Sequence, residues 1–245
     1  IVSSLSSAKP PSKNIIFPGG GIFFYWQAGA ITYLQEKGYP LEQEDINLTG
    51  ASAGALCATL TAAMRDNTFE DATELALSKA RDAGVWDRPL GLYGIWGEMI
   101  DTWLDELLPE EEEALSLVED RLTLLVTKMP SLENVGISEF KSKRDLIDAN
   151  MASVHIPLFL NGKFTSNFRN SPHIDGSFRT TLSNYNYSRK QSVVLDWSAD
   201  PKLSDRTLMD AVTALSEEGI WDLLDSGRKY AALMEKRGEF DFLQR

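Results

Sequence analysis

Ile46-Asn47-Leu48-Thr49-Gly50-Ala51-Ser52-Ala53-Gly54-Ala55-Leu56-Cys57-Ala58-Thr59-Leu60 is the stretch that decides how this chain is read. A short apolar run enters Gly50-Ala51-Ser52-Ala53-Gly54, and a run of small residues leaves it. This is a Gly-x-Ser-x-Gly pattern set between a strand and a helix. Gly50 and Gly54 flank the serine because so sharp a turn leaves no room for a Cβ on either side. The turn lifts the hydroxyl off the sheet and sets it at a helix N-terminus. Free N–H groups and the helix dipole there favour negative charge. A nucleophilic serine whose reaction builds an oxyanion beside it suits that setting.

Outward from this turn, strands alternate with helices. Lys13 to Pro18 reads as a strand ending in Gly19-Gly20-Gly21, and an amphipathic helix follows to about Lys37, stopped by Gly38 and Pro40. Thr68 to Ala83 reads as a helix. Trp96, Met99, Ile100, Trp103, Leu104, Leu107 and Leu108 recur at helical spacing, so this segment is a second amphipathic helix. Its apolar face suits either core packing or a lid. Pro109 and the run Glu110 to Glu113 punctuate it as a solvated stretch. Arg121 to Lys128 suits a buried strand, and Val135 to Phe140 another. Lys143 to Ala152 reads as helical. Ile156 to Leu160 and Lys163 to Asn167 read as short strands, Ser192 to Leu195 as a further one, and the tail from Ser204 as two helices. The alternation implies an α/β fold: a three-layer α/β/α sandwich with a mainly parallel central sheet, one domain over residues 14–245. Residues 1–13, rich in serine and carrying Pro10-Pro11, are expected to form a flexible arm. That composition suits the stub of an organelle transit peptide or a trimmed end equally well.

A serine hydroxyl needs a base. The chain has two histidines, His155 and His173, and none in its last 72 residues, where the common Ser-Asp-His order would put one. A triad in another order stays open, since geometry defines triads. The other base is a carboxylate. Asp175 precedes Gly176 at the end of Pro172-His173-Ile174, which places it near the sheet edge where ligands gather in open α/β sheets. Aspartate is a poor base at its ordinary pKa near 4, and partial desolvation with direct contact to the hydroxyl would make it adequate. An ordinary turn explains Asp-Gly as well. Gly19-Gly20-Gly21 forms a nest of N–H groups for an anion. Gly-x-Gly-x-x-Gly fails at Phe24, and no Gly-Lys-Ser/Thr follows, which excludes a P-loop. An oxyanion hole is the better account, with the Ala53 N–H as a further donor. Phe23-Phe24-Tyr25-Trp26 suits either a packed helix start or an acyl-chain groove.

Gly19-Gly20-Gly21, Gly50-Ala51-Ser52-Ala53-Gly54 and Asp175-Gly176 together resemble the patatin-like phospholipase family. Leu107-Leu108-Pro109, Arg121-Leu122-Thr123, Phe140 to Ile147 and Ala152 to Pro157 are similar to the branch that contains the animal triglyceride lipases. The resemblance covers roughly residues 14 to 180. It implies a patatin-like fold and hydrolysis of lipid acyl esters through an acyl-enzyme, with a Ser-Asp dyad and neither metal nor cofactor. Ser52 is then the nucleophile, Asp175 the base, and Gly19, Gly20 and Gly21 the oxyanion hole. It also implies a lipid substrate met peripherally at a membrane or lipid-droplet surface inside a cell, a plastid or other organelle included. Acyl transfer through the same dyad and non-catalytic lipid binding are the alternatives. Three departures stand out, one being Pro18 before the glycines, which fixes the loop entry and donates no hydrogen bond. Phe23 and Phe24 replace the cation and glycine that often follow the glycine triplet, and Ser177 stands where the family has Gly or Ala.

Composition narrows the partners. A net charge of -12 argues against nucleic acid and against electrostatic capture by anionic lipid. The single cysteine, Cys57, excludes an internal disulfide and reads as a packing residue. No apolar run approaches the roughly 20 residues of a transmembrane helix. No His/Cys/Asp cluster has metal-ligand spacing.

Overall fold

In a computed structural model, residues 13–185, 187–207 and 209–243 are described. Four short parallel strands make the centre: β7 (Ser192–Val194), β1 (Lys13–Phe17), β2 (Ile46–Ala51) and β3 (Leu122–Lys128), in that spatial order. Parallel neighbours need long crossovers. Between β1 and β2 that crossover is α1 (Phe24–Glu36). Between β2 and β3 it is α2 (Ala53–Ala63), α3 (Phe69–Asp82), α4 (Trp96–Leu107) and α5 (Glu111–Val118).

Beyond β3 the pairing turns antiparallel. β4 (Glu133–Ile137) returns along β3, α6 (Lys143–Ser153) follows, and β5 (Ser166–Phe168) pairs with β6 (Ser171–Ile174), which itself pairs with β3. The register fixes where β6 lies. Leu125 faces Ala51 of β2 on one edge and Gly136 of β4 on the other; Thr127 faces Asn134 of β4 and Ile174 of β6. A strand has two edges, and β4 occupies one from Leu124 to Lys128. β2 and β6 therefore share the other edge and run toward each other along it. The residues that follow them, Ser52 and Asp175, meet where they converge.

Helices flank this mostly parallel sheet, and the two faces are covered unequally. Ile15, Phe17, Leu48, Leu124 and Val126 point into the main apolar cluster with α1, α2, α4 and α6. Ile16, Ala51 and Leu125 point the other way, into a small cluster closed by Tyr185. α7 (Glu217–Lys236) lies along α1.

Several expectations shift. Lys13 opens β1, as the strand reading of Lys13 to Pro18 expects, although the expected arm of residues 1–13 includes it; residues 1–12 lie outside the described residues. The stretch after Glu110 forms α5, because Ala114 and Val118 turn a buried face inward while its glutamates stay solvated. Ile156 to Leu160 is a series of turns, not a strand, and the strand expected over Lys163 to Asn167 begins only at Ser166. The tail carries one long helix, α7, preceded by short 3-10 turns at Pro201–Leu203 and Asp210–Val212. α3 begins where Thr68 and Asp71 cap each other: the Asp71 N–H donates to Thr68 Oγ1 at 3.1 Å and the Thr68 N–H to Asp71 Oδ2 at 2.9 Å.

Candidate active site

Ser52 sits between β2 and α2 with φ 54° and ψ −133°, a conformation L-residues rarely adopt. Such a backbone costs on the order of 1–3 kcal/mol and persists only where its surroundings fix it. Three features fix this one. The Ser52 N–H donates to Ser153 Oγ at 2.9 Å, and the Ala55 N–H donates to Ser52 O at 2.8 Å. Gly54 lies directly on the end of β1: a Cβ there would fall 2.0 Å from Phe17 O. Only glycine allows α2 to approach β1 that closely.

Ser52 Oγ donates to Asp175 Oδ2 at 2.6 Å, a short bond of the charge-assisted kind. Ser52 is 6% exposed. Asp175 is partly exposed as a residue. Burial raises the Asp175 pKa above the usual aspartate value, against opposing hydrogen bonds from Ser52 and Ser177. The Ser177 N–H holds Asp175 Oδ1 at 2.8 Å. The aspartate turn is itself tied down: the Asp175 N–H donates to His155 O at 2.9 Å, Thr127 Oγ1 to Asp175 O at 2.8 Å, and Asn134 Nδ2 to Gly176 O at 2.8 Å. Ser177 keeps a negative φ, so the departure from Gly or Ala is accommodated without backbone strain.

The glycine triplet lies beside this pair. A Cβ on Gly19 would sit 2.9 Å from Ser52 Cβ. The N–H groups of Gly20, Gly21 and Ala53 donate to no partner among the described residues. Gly21 and Ala53 line the same cleft as Ser52.

Neither histidine joins the site. The His155 ring bonds Lys163 O at 3.1 Å and the His173 ring bonds Ser171 O at 2.9 Å. Burial lowers both pKa values, which favours the neutral rings of packed residues. No grouping of three His, Cys, Asp or Glu residues suited to a metal occurs among the described residues.

An apolar cleft of about 900 Å³, including its open mouth, leads to Ser52. Ser52, Ala53 and Leu56 line one part of it, and Val85, Trp86 and Leu92 another. The two ambiguous aromatic segments divide their roles. Phe23 stacks on Trp197 with ring centroids 3.8 Å apart, and Trp26 Nε1 donates to Asp200 Oδ2 at 2.9 Å, whereas Phe24 and Tyr25 line the cleft. On α4, Leu104 and Leu107 pack into the core while Trp96 and Met99 face the cleft. Cys57 is buried, and burial pushes its thiol pKa up, as a packing residue requires. No helix among the described residues is long and apolar enough to cross a membrane.

Of the residues the sequence pattern singles out, the structure brings Ser52 and Asp175 into contact and sets Gly19 beside them. The pattern missed Ser153, Thr127 and Asn134. These act through tertiary hydrogen bonds, and nothing in their local spacing marks them.

Fold and site together define an α/β protein with a serine–carboxylate pair at a strand-to-helix turn. Residues 15–185 match the family model described as Patatin-like phospholipase, and the chain belongs to that family. Omega-hydroxyceramide transacylase of Mus musculus is 27% identical over 166 residues, which cover 67% of this chain and 27% of that protein. 1-acylglycerol-3-phosphate O-acyltransferase PNPLA3 of Homo sapiens is 27% identical, covering 66% of this chain and 33% of that protein. Patatin-like phospholipase domain-containing protein 2 of Homo sapiens is 30% identical, covering 70% and 33%. The chain thus spans about a third or less of the length of these relatives.

Proposed function

We propose that the chain is a lipid acyl hydrolase in which Ser52 is the nucleophile and Asp175 the base. The observation that carries this is the 2.6 Å bond from Ser52 Oγ to Asp175 Oδ2 at an apolar cleft. Ser52 Oγ forms a bond to the ester carbonyl carbon as its proton passes to Asp175. The N–H groups of Gly20, Gly21 and Ala53 receive the oxyanion, with the Gly19 backbone completing the loop. The carbon–oxygen bond to the alcohol then breaks, and the proton on Asp175 leaves with the alcohol. Water attacks the acyl-serine and gives its proton to Asp175. The ester bond to Ser52 breaks, the fatty acid departs, and the proton returns to Ser52 Oγ. A raised pKa makes Asp175 a stronger base once ionised.

The cleft supports a long acyl chain as the occupant. Exposed Trp86, Leu90 and Tyr93 near it support peripheral contact with a membrane or lipid-droplet surface. A second reading is acyl transfer, in which a lipid hydroxyl replaces water; two relatives bear the names of a transacylase and an acyltransferase. A fluorophosphonate probe is expected to label Ser52, and radiolabelled glycerolipids to release free fatty acid. Acyl groups appearing on an added monoacylglycerol phosphate instead would select transfer. Labelling absent and no product formed would leave only lipid binding.

A further inference from the structure

Ser153 ends α6 and is fully buried. It touches three segments at the point where β2 and β6 converge. Its hydroxyl proton goes to Leu125 O at 2.7 Å, so only the oxygen lone pairs remain for other contacts, and one of them receives the Ser52 N–H at 2.9 Å. Its main-chain oxygen receives the Gly176 N–H at 2.8 Å. The fit leaves no slack: a Cβ on Gly176 would fall 2.9 Å from Ser153 Oγ and 1.9 Å from Leu125 O. One residue therefore holds the peptide that gives Ser52 its strained φ, the turn that carries Asp175, and the strand on which both are registered.

We propose that Ser153 is a positioning residue for the Ser52–Asp175 pair, setting the angle at which Ser52 Oγ meets the carboxylate. The inference rests on the catalytic reading of that pair. Ser153 is fully buried and lies outside the cleft lining. Without its hydroxyl, the Ser52 N–H and Leu125 O lose buried partners. The Ala51–Ser52 peptide is then free to relax toward an ordinary φ, which moves Oγ off the carboxylate.

The test compares the parent chain with Ser153→Ala, using p-nitrophenyl butyrate hydrolysis and a fluorophosphonate probe. The expected result is kcat down by about 10- to 100-fold, the scale of a misplaced reacting group, with KM within about twofold. The probe should still label close to one site per chain, at a rate reduced by the same factor. A residue that only stabilised the fold would lower the labelled fraction and leave the rate constant of the folded fraction unchanged; that result overturns the proposal, as does kcat within about twofold of the parent. If Ser153→Ala does not fold, Ser153→Cys carries the test. Its weaker hydrogen bonds are expected to lower kcat at least about fivefold, and an unchanged kcat overturns the proposal. A parent chain that neither labels nor hydrolyses removes the reading beneath the inference, and the inference with it.

Discussion

Ser52 and Asp175, 123 positions apart in sequence, are hydrogen-bonded because the strands that carry them end facing each other along one edge of β3. Ala51 pairs with Leu125 and Ile174 with Thr127, which leaves only the stretch around Val126 between the two strand ends. A one-residue slip of β6 would send the carboxylate to the other face of the sheet. The pair is thus fixed by sheet register, with both partners coming off strand ends.

This arrangement predicts which substitutions remove activity. Ser52→Ala and Asp175→Asn are each expected to lower ester hydrolysis by roughly 10³-fold or more, the scale on which members of a nucleophile–base unit act. His155→Gln and His173→Gln are expected to stay within about tenfold of the parent, because their rings bond Lys163 O and Ser171 O rather than the pair. Initial rates on a soluble ester, with circular dichroism to confirm folding, check both. A histidine variant as impaired as Asp175→Asn would replace the dyad by a triad.

The raised Asp175 pKa predicts opposite effects on activity and stability. Hydrolysis needs the ionised carboxylate, so the rate is expected to fall as pH drops through a value above the ordinary aspartate range. Stability runs the other way. Between the unfolded and the raised folded pKa the native state binds more protons, so stability falls as pH rises through that window and stays reduced above it. Asp175→Asn is therefore expected to raise Tm at neutral pH. The gain is expected to vanish below about pH 4, where the carboxyl is protonated in both states. Thermal melts at pH 4 and pH 7 test this. A lower Tm for the variant at pH 7 would mean that the carboxylate stabilises the fold instead.

The elements that carry the site were legible because each has a local cause. Glycines at 50 and 54 announce a turn without room for side chains, and Asp175-Gly176 announces another. Two other outcomes were not local. The run Glu110 to Glu113 reads as solvated because its four glutamates outweigh Ala114 and Val118, whose burial depends on α2 and α6. Ile156 to Leu160 is apolar enough for a strand, yet Leu160 and Phe159 give their carbonyls to Gly97 and Gly94 on and before α4 instead of joining the sheet. Local pattern cannot say which neighbour an apolar segment will find. The same holds for Ser153, whose partners lie on β3, the elbow and the aspartate turn.

Gly54 separates helix propensity from close packing. Propensity alone gives Ala an advantage of about 1 kcal/mol over Gly inside a helix. Here the added methyl would lie 2.0 Å from Phe17 O and 2.6 Å from Pro18 O, both main-chain atoms that cannot swing aside. Gly54→Ala is expected to destabilise the fold by about 2 kcal/mol or more, and to slow Ser52 labelling as α2 moves off β1. Urea denaturation and probe kinetics measure the two effects. A variant as stable as the parent would show that the elbow has room to spare.

The cleft makes the last prediction, on chain length. Met99 of α4 lines it, as do Ala76 and Ala80 of α3. Met is flexible and yields to a chain; Trp in its place is rigid and larger. Each methylene excluded from an apolar site costs about 0.8 kcal/mol of burial, so losing room for even two is worth roughly a tenfold change in kcat/KM. Met99→Trp is expected to lower kcat/KM for palmitoyl esters at least about tenfold and to leave butyryl esters within about twofold, since a four-carbon acyl group needs far less of the cleft than a sixteen-carbon one. An ester series from four to sixteen carbons reads this directly. Equal losses at all lengths would mean that the acyl chain leaves Ser52 by another route.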